Sequence, residues 1–128
     1  MSVRLTIEQL ADGARHRPWI WLSTNLHDTD ITPHDIGWAI TEAQYSDNVD
    51  LRIVGASYLT VSTLHLNILD VGAIIAWLED EINDVVRYRL AIALYKRGNR
   101  DDLVVDTFDE ACASAEMGAV AAKYKDAA

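Results

Sequence analysis

The residues with the clearest potential for chemistry are two histidines and two aspartates in one short stretch, His27, Asp28, Asp30 and His34. Imidazole nitrogens and carboxylate oxygens are ligands for zinc and other divalent ions. Their spacing matches no metal-binding motif, however, and the neighbouring Asp35 has a structural role near the start of a helix. We therefore predict no metal site, and keep a small metal-dependent enzyme that uses His27, Asp30 and His34 only as a second alternative.

Other catalytic signals are absent from the sequence. The single cysteine, Cys112, lies in a predicted helix without a histidine or aspartate pattern around it, so we interpret it as a small core residue. The chain contains no phosphate-binding glycine loop, paired cysteine motif, HExxH, GxSxG or calcium-binding loop. These observations predict a protein that is not an enzyme and that uses no cofactor.

The distribution of charge favours a protein partner. The chain carries 11 basic and 20 acidic residues, which gives a net charge of −9. Residues 21–50 and 101–116 contain acidic residues and neither lysine nor arginine, whereas 85–100 contain only basic charges. A negative field disfavours nucleic acid and anionic membranes, and it favours a basic partner. The simpler alternative is that the acidic surface maintains solubility and the basic stretch pairs with it internally.

Length and hydropathy predict one acidic helical domain over residues 1–128, with disorder only in the last few residues. The N-terminal residues lack the apolar core of a signal peptide. The longest stretch without acidic or basic residues, Ile53–Leu69, is too short to cross a bilayer. We therefore expect a cytoplasmic protein without a membrane partner.

The longest helical signal runs from Asp70 to Arg97, and we expect the other elements to be arranged around it. Between Val71 and Val86 the apolar residues share one face at helical spacing. Beyond Arg87 that face becomes basic, and the apolar residues point the other way. The pattern therefore predicts a break or a change of packing near 83–87, within one domain or against another chain.

Shorter patterns surround this stretch. A capping box at Thr6 predicts a helix from Ile7 to about Ala14, and a Thr32 cap predicts a helix over Pro33–Tyr45. Residues 49–69 fit a buried helix from Asp50 to about Asn67, although alternating apolar residues also fit a β-hairpin within 49–68. The fold class is therefore predicted as mainly α, a compact bundle of about five helices, with α+β as the alternative.

A final helix after Asn99 is predicted to carry a seam of small and apolar residues, which lets another helix approach closely. The seam comprises Leu103, Thr107, Phe108, Ala111, Ala115, Gly118, Ala119 and Ala122. Together with the change of direction in the long helix, it motivates the first alternative function, a self-assembling structural or virion-associated homo-oligomer.

The favoured function is a non-enzymatic protein-binding module of the inhibitor, antitoxin, immunity, anti-defence or adaptor kind. Small size, acidity and four tryptophans with five tyrosines motivate it, because aromatic residues within a charged rim are common binding anchors. The predicted partner-binding residues are Trp77, Glu81, Asp84, Tyr88 and Tyr95, followed by Trp38 and Tyr45. The predicted mechanism is steering of a basic partner followed by aromatic burial. Nucleic-acid binding through Arg89, Lys96, Arg97 and Arg100 is not favoured.

Overall fold

A computed structural model describes residues 5–16, 19–27 and 30–125 of the chain. Within these ranges the protein forms eight α-helices and a short 3-10 helix, and it has no β-strand. The mainly α prediction is confirmed. The count of about five helices is not confirmed, because two of the predicted helices are divided and the helix over Trp19–Asn25 was not predicted. The last three residues, part of the tail expected to be disordered, lie outside the described ranges.

The helices fall into two compact units, Met1–His65 and Leu66–Ala128, and the prediction of a single domain stays a prediction. The first unit contains α1 (Ile7–His16), α2 (Trp19–Asn25), α3 (Pro33–Thr41), a 3-10 helix (Ala43–Tyr45) and α4 (Val49–Val61). The second unit contains α5 (Ile68–Asp80), α6 (Asp84–Tyr95), α7 (Asp102–Ala113) and α8 (Gly118–Ala122).

Local capping explains where α1 and α3 begin. The Gln9 backbone N–H donates to Thr6 Oγ1 at 3.1 Å, and the Thr6 backbone N–H donates to Gln9 Oε1 at 2.9 Å. At α3, Asp35 and Thr32 make the same reciprocal pair at 2.8 and 3.3 Å. Both predicted capping boxes are therefore confirmed, and each satisfies backbone donors that the first helical turn leaves unpaired.

The core of the first unit is built on α4, against which α1 and α3 pack. Tyr58 and Leu59 of α4 are fully buried, and the Trp38 ring meets the Tyr58 ring edge-on at 5.8 Å between centroids. Residues 49–61 are helical throughout, so the alternative hairpin is not confirmed. The helix ends earlier than predicted, because Ser62 adopts an extended backbone conformation.

The predicted long helix is two helices, α5 and α6, separated by residues 81–83. The Asn67 side chain caps α5, three residues before the predicted start at Asp70, by accepting from the Asp70 N–H at 2.8 Å. Asn83 caps α6 by accepting from the Val86 N–H at 3.2 Å. The break lies at the start of the region where the apolar pattern changes direction, and α6 turns its apolar residues toward α7.

The core of the second unit lies between α6 and α7, where Leu90, Leu94 and Phe108 are buried. Arg89 is also buried, and its guanidinium donates to Glu116 Oε1 at 2.8 Å. Burial lowers the pKa of Arg89 to about 10, although the Glu116 carboxylate opposes the change. Burial therefore makes the charged form of Arg89 less favourable, and the Glu116 carboxylate offsets only part of that desolvation cost.

The predicted final helix divides into α7 and α8, with an extended Ser114 backbone at the end of α7. Thr107, Phe108 and Ala111 are buried, whereas Ala115 and Ala119 are exposed. The first half of the predicted seam is therefore mainly buried within the second unit, and the second half is mainly at the surface. In the part of the chain that the structure describes, no helix is long and apolar enough to span a bilayer.

Candidate protein-binding surface

Two of the predicted partner-binding residues, Trp77 in the last turn of α5 and Glu81 in the turn after it, are hydrogen-bonded to each other. The indole Nε1–H of Trp77 donates to Glu81 Oε1 at 3.0 Å. Glu81 Oε2 accepts from the backbone N–H groups of Ile82 and Asn83 at 3.2 and 3.1 Å. Trp77 is 2% exposed and Glu81 is 9% exposed, so neither presents a surface to a partner. Their role in this structure is to end one helix and position the next.

Tyr95 is also engaged inside the second unit. Its ring stacks on the Phe108 ring at 3.7 Å between centroids with an interplanar angle of 2°. The Arg100 guanidinium carbon lies 3.6 Å from the same centroid, which places it on the opposite face of the ring. Because both faces are covered, a partner can reach only the edge of Tyr95.

Asp84 and Tyr88 remain at the surface on the first turns of α6. Arg87 connects Asp84 to Glu110 with hydrogen bonds of 2.8 and 3.0 Å. Partial burial raises the pKa of the Tyr88 hydroxyl, and the Asp84 and Glu110 carboxylates add to the rise. Tyr88 is therefore a neutral hydrogen-bond donor at neutral pH. The structure brings these two predicted residues together but compensates the charge of Asp84 with Arg87.

The two remaining predicted residues, Trp38 and Tyr45, lie in the first unit. Trp38 is half-buried beside Tyr58, whereas Tyr45 is 75% exposed at the end of the 3-10 helix. Tyr45 is therefore the most accessible of the predicted aromatic anchors. It is next to the acidic segment that contains Glu42 and Asp47, both of which are exposed.

An accessible apolar feature of the second unit lies on α5, and the aromatic pattern did not indicate it. Its exposed side, called here the outer face of α5, comprises Ile68, Leu69, Gly72, Ala76, Glu79 and Asp80. These positions lie within about 120° of one another at about 100° per residue. Ile68 is 87% exposed and Leu69 is 80% exposed. Ile82, at 89% exposed, follows in the turn after α5.

The buried side of α5 is opposite this face and carries Ile74, Trp77 and Leu78. Both sides of the first two helical turns are therefore apolar, unlike a surface helix with one apolar stripe. Single exposed hydrophobic residues are normal, but adjacent exposed aliphatic side chains at one helix start indicate an interaction surface. The sequence signal was the Ile68-Leu69 pair directly after the Asn67 cap.

The charged residues of α5 and of the turn after it are all acidic. The chain has no lysine or arginine between Arg52 and Arg87. Between these positions it has five acidic residues, Asp70, Glu79, Asp80, Glu81 and Asp84. Glu79 and Asp80 are exposed on the face itself, one turn beyond its apolar part. The outer face of α5 is therefore an apolar patch with an acidic end.

The metal chemistry of the second alternative is not assembled at the histidine stretch in the described ranges. Asp28 lies outside them, and no group of three or more histidine, cysteine, aspartate or glutamate side chains is placed to hold a metal ion within them. Burial raises the pKa of the Cys112 thiol, with Asp109 adding to the rise and Lys125 opposing it. A higher pKa makes the thiolate, which is the nucleophilic form, less abundant.

No model of a protein family, no curated protein and no solved structure matches this chain. Two features of the chain's own surface bear on its function, the aliphatic residues of the outer face of α5 and the acidic residues at its end.

Proposed function

We propose that this protein is a non-enzymatic protein-binding module that engages a basic partner, as an inhibitor, antitoxin, immunity or anti-defence factor, or adaptor does. The single observation that supports the proposal most strongly is the outer face of α5, which exposes Ile68 and Leu69 beside Glu79 and Asp80. An apolar patch supplies affinity, and an acidic end supplies partner choice and orientation.

Burial of this patch would supply part of the free energy of a specific contact, and the rest must come from further contacts with the partner. Full burial of an isoleucine or leucine side chain contributes about 1.5–3 kcal/mol. Burial of Ile68 and Leu69 together would contribute about 3–6 kcal/mol before the cost of ordering the partner. The surrounding carboxylates would accelerate encounter with a basic surface.

The predicted aromatic anchors take a reduced part in this proposal. Trp77 and Glu81 are not part of the proposed surface, because both are buried. Tyr95 is not part of it either, because both faces of its ring are covered. Tyr88 lies on the helix that follows the turn, where its hydroxyl could donate to a partner. Tyr45 is a candidate for a separate contact of the first unit.

A displayed library of random peptides tests the proposal. The wild-type protein and the Ile68→Glu/Leu69→Glu variant serve as baits, with Ala119→Glu/Ala122→Glu as the control that adds two charges at exposed positions of α8. We expect the wild type and the control to enrich peptides that combine apolar residues with lysine or arginine. The α5 variant should bind those peptides at least about tenfold more weakly. Enrichment of neutral or acidic peptides, or equal binding by the α5 variant, would contradict the proposal.

Self-association through the same face is the second candidate, because Ile68 and Leu69 are equally available to another copy of the chain. The charge at Glu79 and Asp80 opposes it, since two acidic ends would meet or approach each other. Salt separates the two functions. Added salt weakens binding of a basic partner and strengthens contact between like-charged copies. Sedimentation at low and high salt measures the second effect directly.

A further inference from the structure

We propose that the partner segment is an α-helix that crosses α5 at close range over Gly72 and Ala76, with its basic residues toward Glu79 and Asp80. This inference rests on the proposed function and specifies the form of the partner. The observation behind it is the shape of the outer face of α5, in which small residues follow two large exposed ones.

The shape of the face is defined by side-chain size. Ile68 and Leu69 project at its beginning, and the half-buried Val71 and Ile75 lie along one edge. Beside them, a Cβ atom built on Gly72 would have no heavy atom of the described residues within 4 Å, so this space is open. Four residues on, Ala76 adds only a methyl group. The result is an open strip of small residues beside larger aliphatic side chains, called here the depression.

The backbone of α5 selects the kind of partner. Its N–H and C=O groups are used within the helix, so the face offers no free strand edge to which an extended peptide could add. Small residues at a helix surface allow a second helix to approach more closely than the usual 8–10 Å between axes. A helix that presents apolar residues three and four positions apart matches the spacing of the depression.

The acidic end fixes where the partner carries its charges. Glu79 is seven residues beyond Gly72 and lies on the same exposed side. Seven residues correspond to about 10 Å along a helix axis. A helix packed along α5 therefore needs lysine or arginine about two turns from the residue that enters the depression. The α5 helix of a second copy lacks this feature, because it carries no basic residue.

The test uses the peptide that the wild-type protein enriches most strongly from the library. Gly72→Leu fills the depression with a residue that favours the helical state, and Gly37→Leu is the matched control, at an exposed glycine of α3 that also has no neighbour within 4 Å of a built Cβ. We expect Gly72→Leu to weaken peptide binding at least about tenfold and Gly37→Leu to change it less than about twofold. A central proline in the peptide should abolish binding.

Two results would overturn the helical partner and leave the proposed function standing. One is a basic peptide that is lost with Ile68→Glu/Leu69→Glu but binds Gly72→Leu as tightly as wild type. The other is such a peptide that tolerates the central proline. Circular dichroism of free Gly72→Leu verifies that the helices are retained, and Gly72→Ala provides a milder variant, with a smaller expected loss. If no basic peptide is enriched at all, the proposed function itself fails.

Discussion

Replacement of Glu81 by alanine is expected to destabilise the protein. The loss should be larger than for alanine replacement of any other aspartate or glutamate in α5 or in the turn after it. One oxygen of Glu81 accepts from the Trp77 indole, and the other accepts from two backbone N–H groups. Loss of the acceptor leaves the buried indole N–H unpaired at a cost of about 1–3 kcal/mol. The two backbone donors can turn to water, and their lost hydrogen bonds add about 1 kcal/mol together. The expected total is about 3 kcal/mol.

Urea unfolding followed by circular dichroism and by tryptophan fluorescence measures this loss. Glu79→Ala is the matched control. Glu79 is exposed in the last turn of α5, just before Glu81, and its replacement removes the same charge. We expect Glu79→Ala to change the free energy of unfolding by less than about 0.5 kcal/mol. Glu81→Gln should lie between the two variants, since its amide keeps one acceptor oxygen.

A double-mutant cycle then isolates the contact between the two side chains. Trp77→Phe removes the indole donor and keeps an aromatic ring in the core. If the hydrogen bond carries the effect, Glu81→Ala should cost about 1–2 kcal/mol less in the Trp77→Phe background than in the wild type. A Glu81→Ala variant as stable as Glu79→Ala would refute the reasoning, as would two fully additive substitutions.

Three further predictions concern the second unit. The Thr107 hydroxyl is buried and has no hydrogen-bond partner among the described residues, so Thr107→Val should raise the free energy of unfolding by about 1 kcal/mol in urea titrations; a loss of stability would contradict this. Glu116→Ala should lower the free energy of unfolding by about 2 kcal/mol, because it removes a charged partner of the buried Arg89. Glu110→Ala breaks a more exposed ion pair and should lower it by less than about 1 kcal/mol in the same titration. Because its pKa is raised, Cys112 should react with iodoacetamide at pH 8 more slowly than a cysteine in an unstructured peptide, and an equal rate would exclude the raised pKa.

The features that could be predicted from the sequence are those that depend on a few neighbouring residues. The reciprocal caps at Thr6 and Thr32 follow from side chains three residues away, so they were predicted correctly. The mainly helical class and the break in the long helical signal follow from hydrophobic spacing over one or two turns. The exact position of the break was not predictable, because it depends on the bonds that Glu81 makes with the turn.

The candidate site was harder to predict for a related reason. Trp77, Tyr88 and Tyr95 share one side only if the helix is continuous, and that geometry ends where α5 ends. Ile68 lies just past the predicted end of the preceding buried helix, and it is the exposed start of α5. Periodicity identifies which residues share a side, whereas the neighbours that cover that side come from distant parts of the sequence.

The turn after α5 has a consequence for recognition. Ile82 projects into solvent, yet the N–H groups of Ile82 and its neighbour Asn83 are both held by the Glu81 carboxylate. Their exchange with deuterated water should therefore be slow for so exposed a position. A molecule that docks against Ile82 contacts a side chain whose backbone is already ordered. Little backbone conformational entropy therefore remains to be lost when the complex forms.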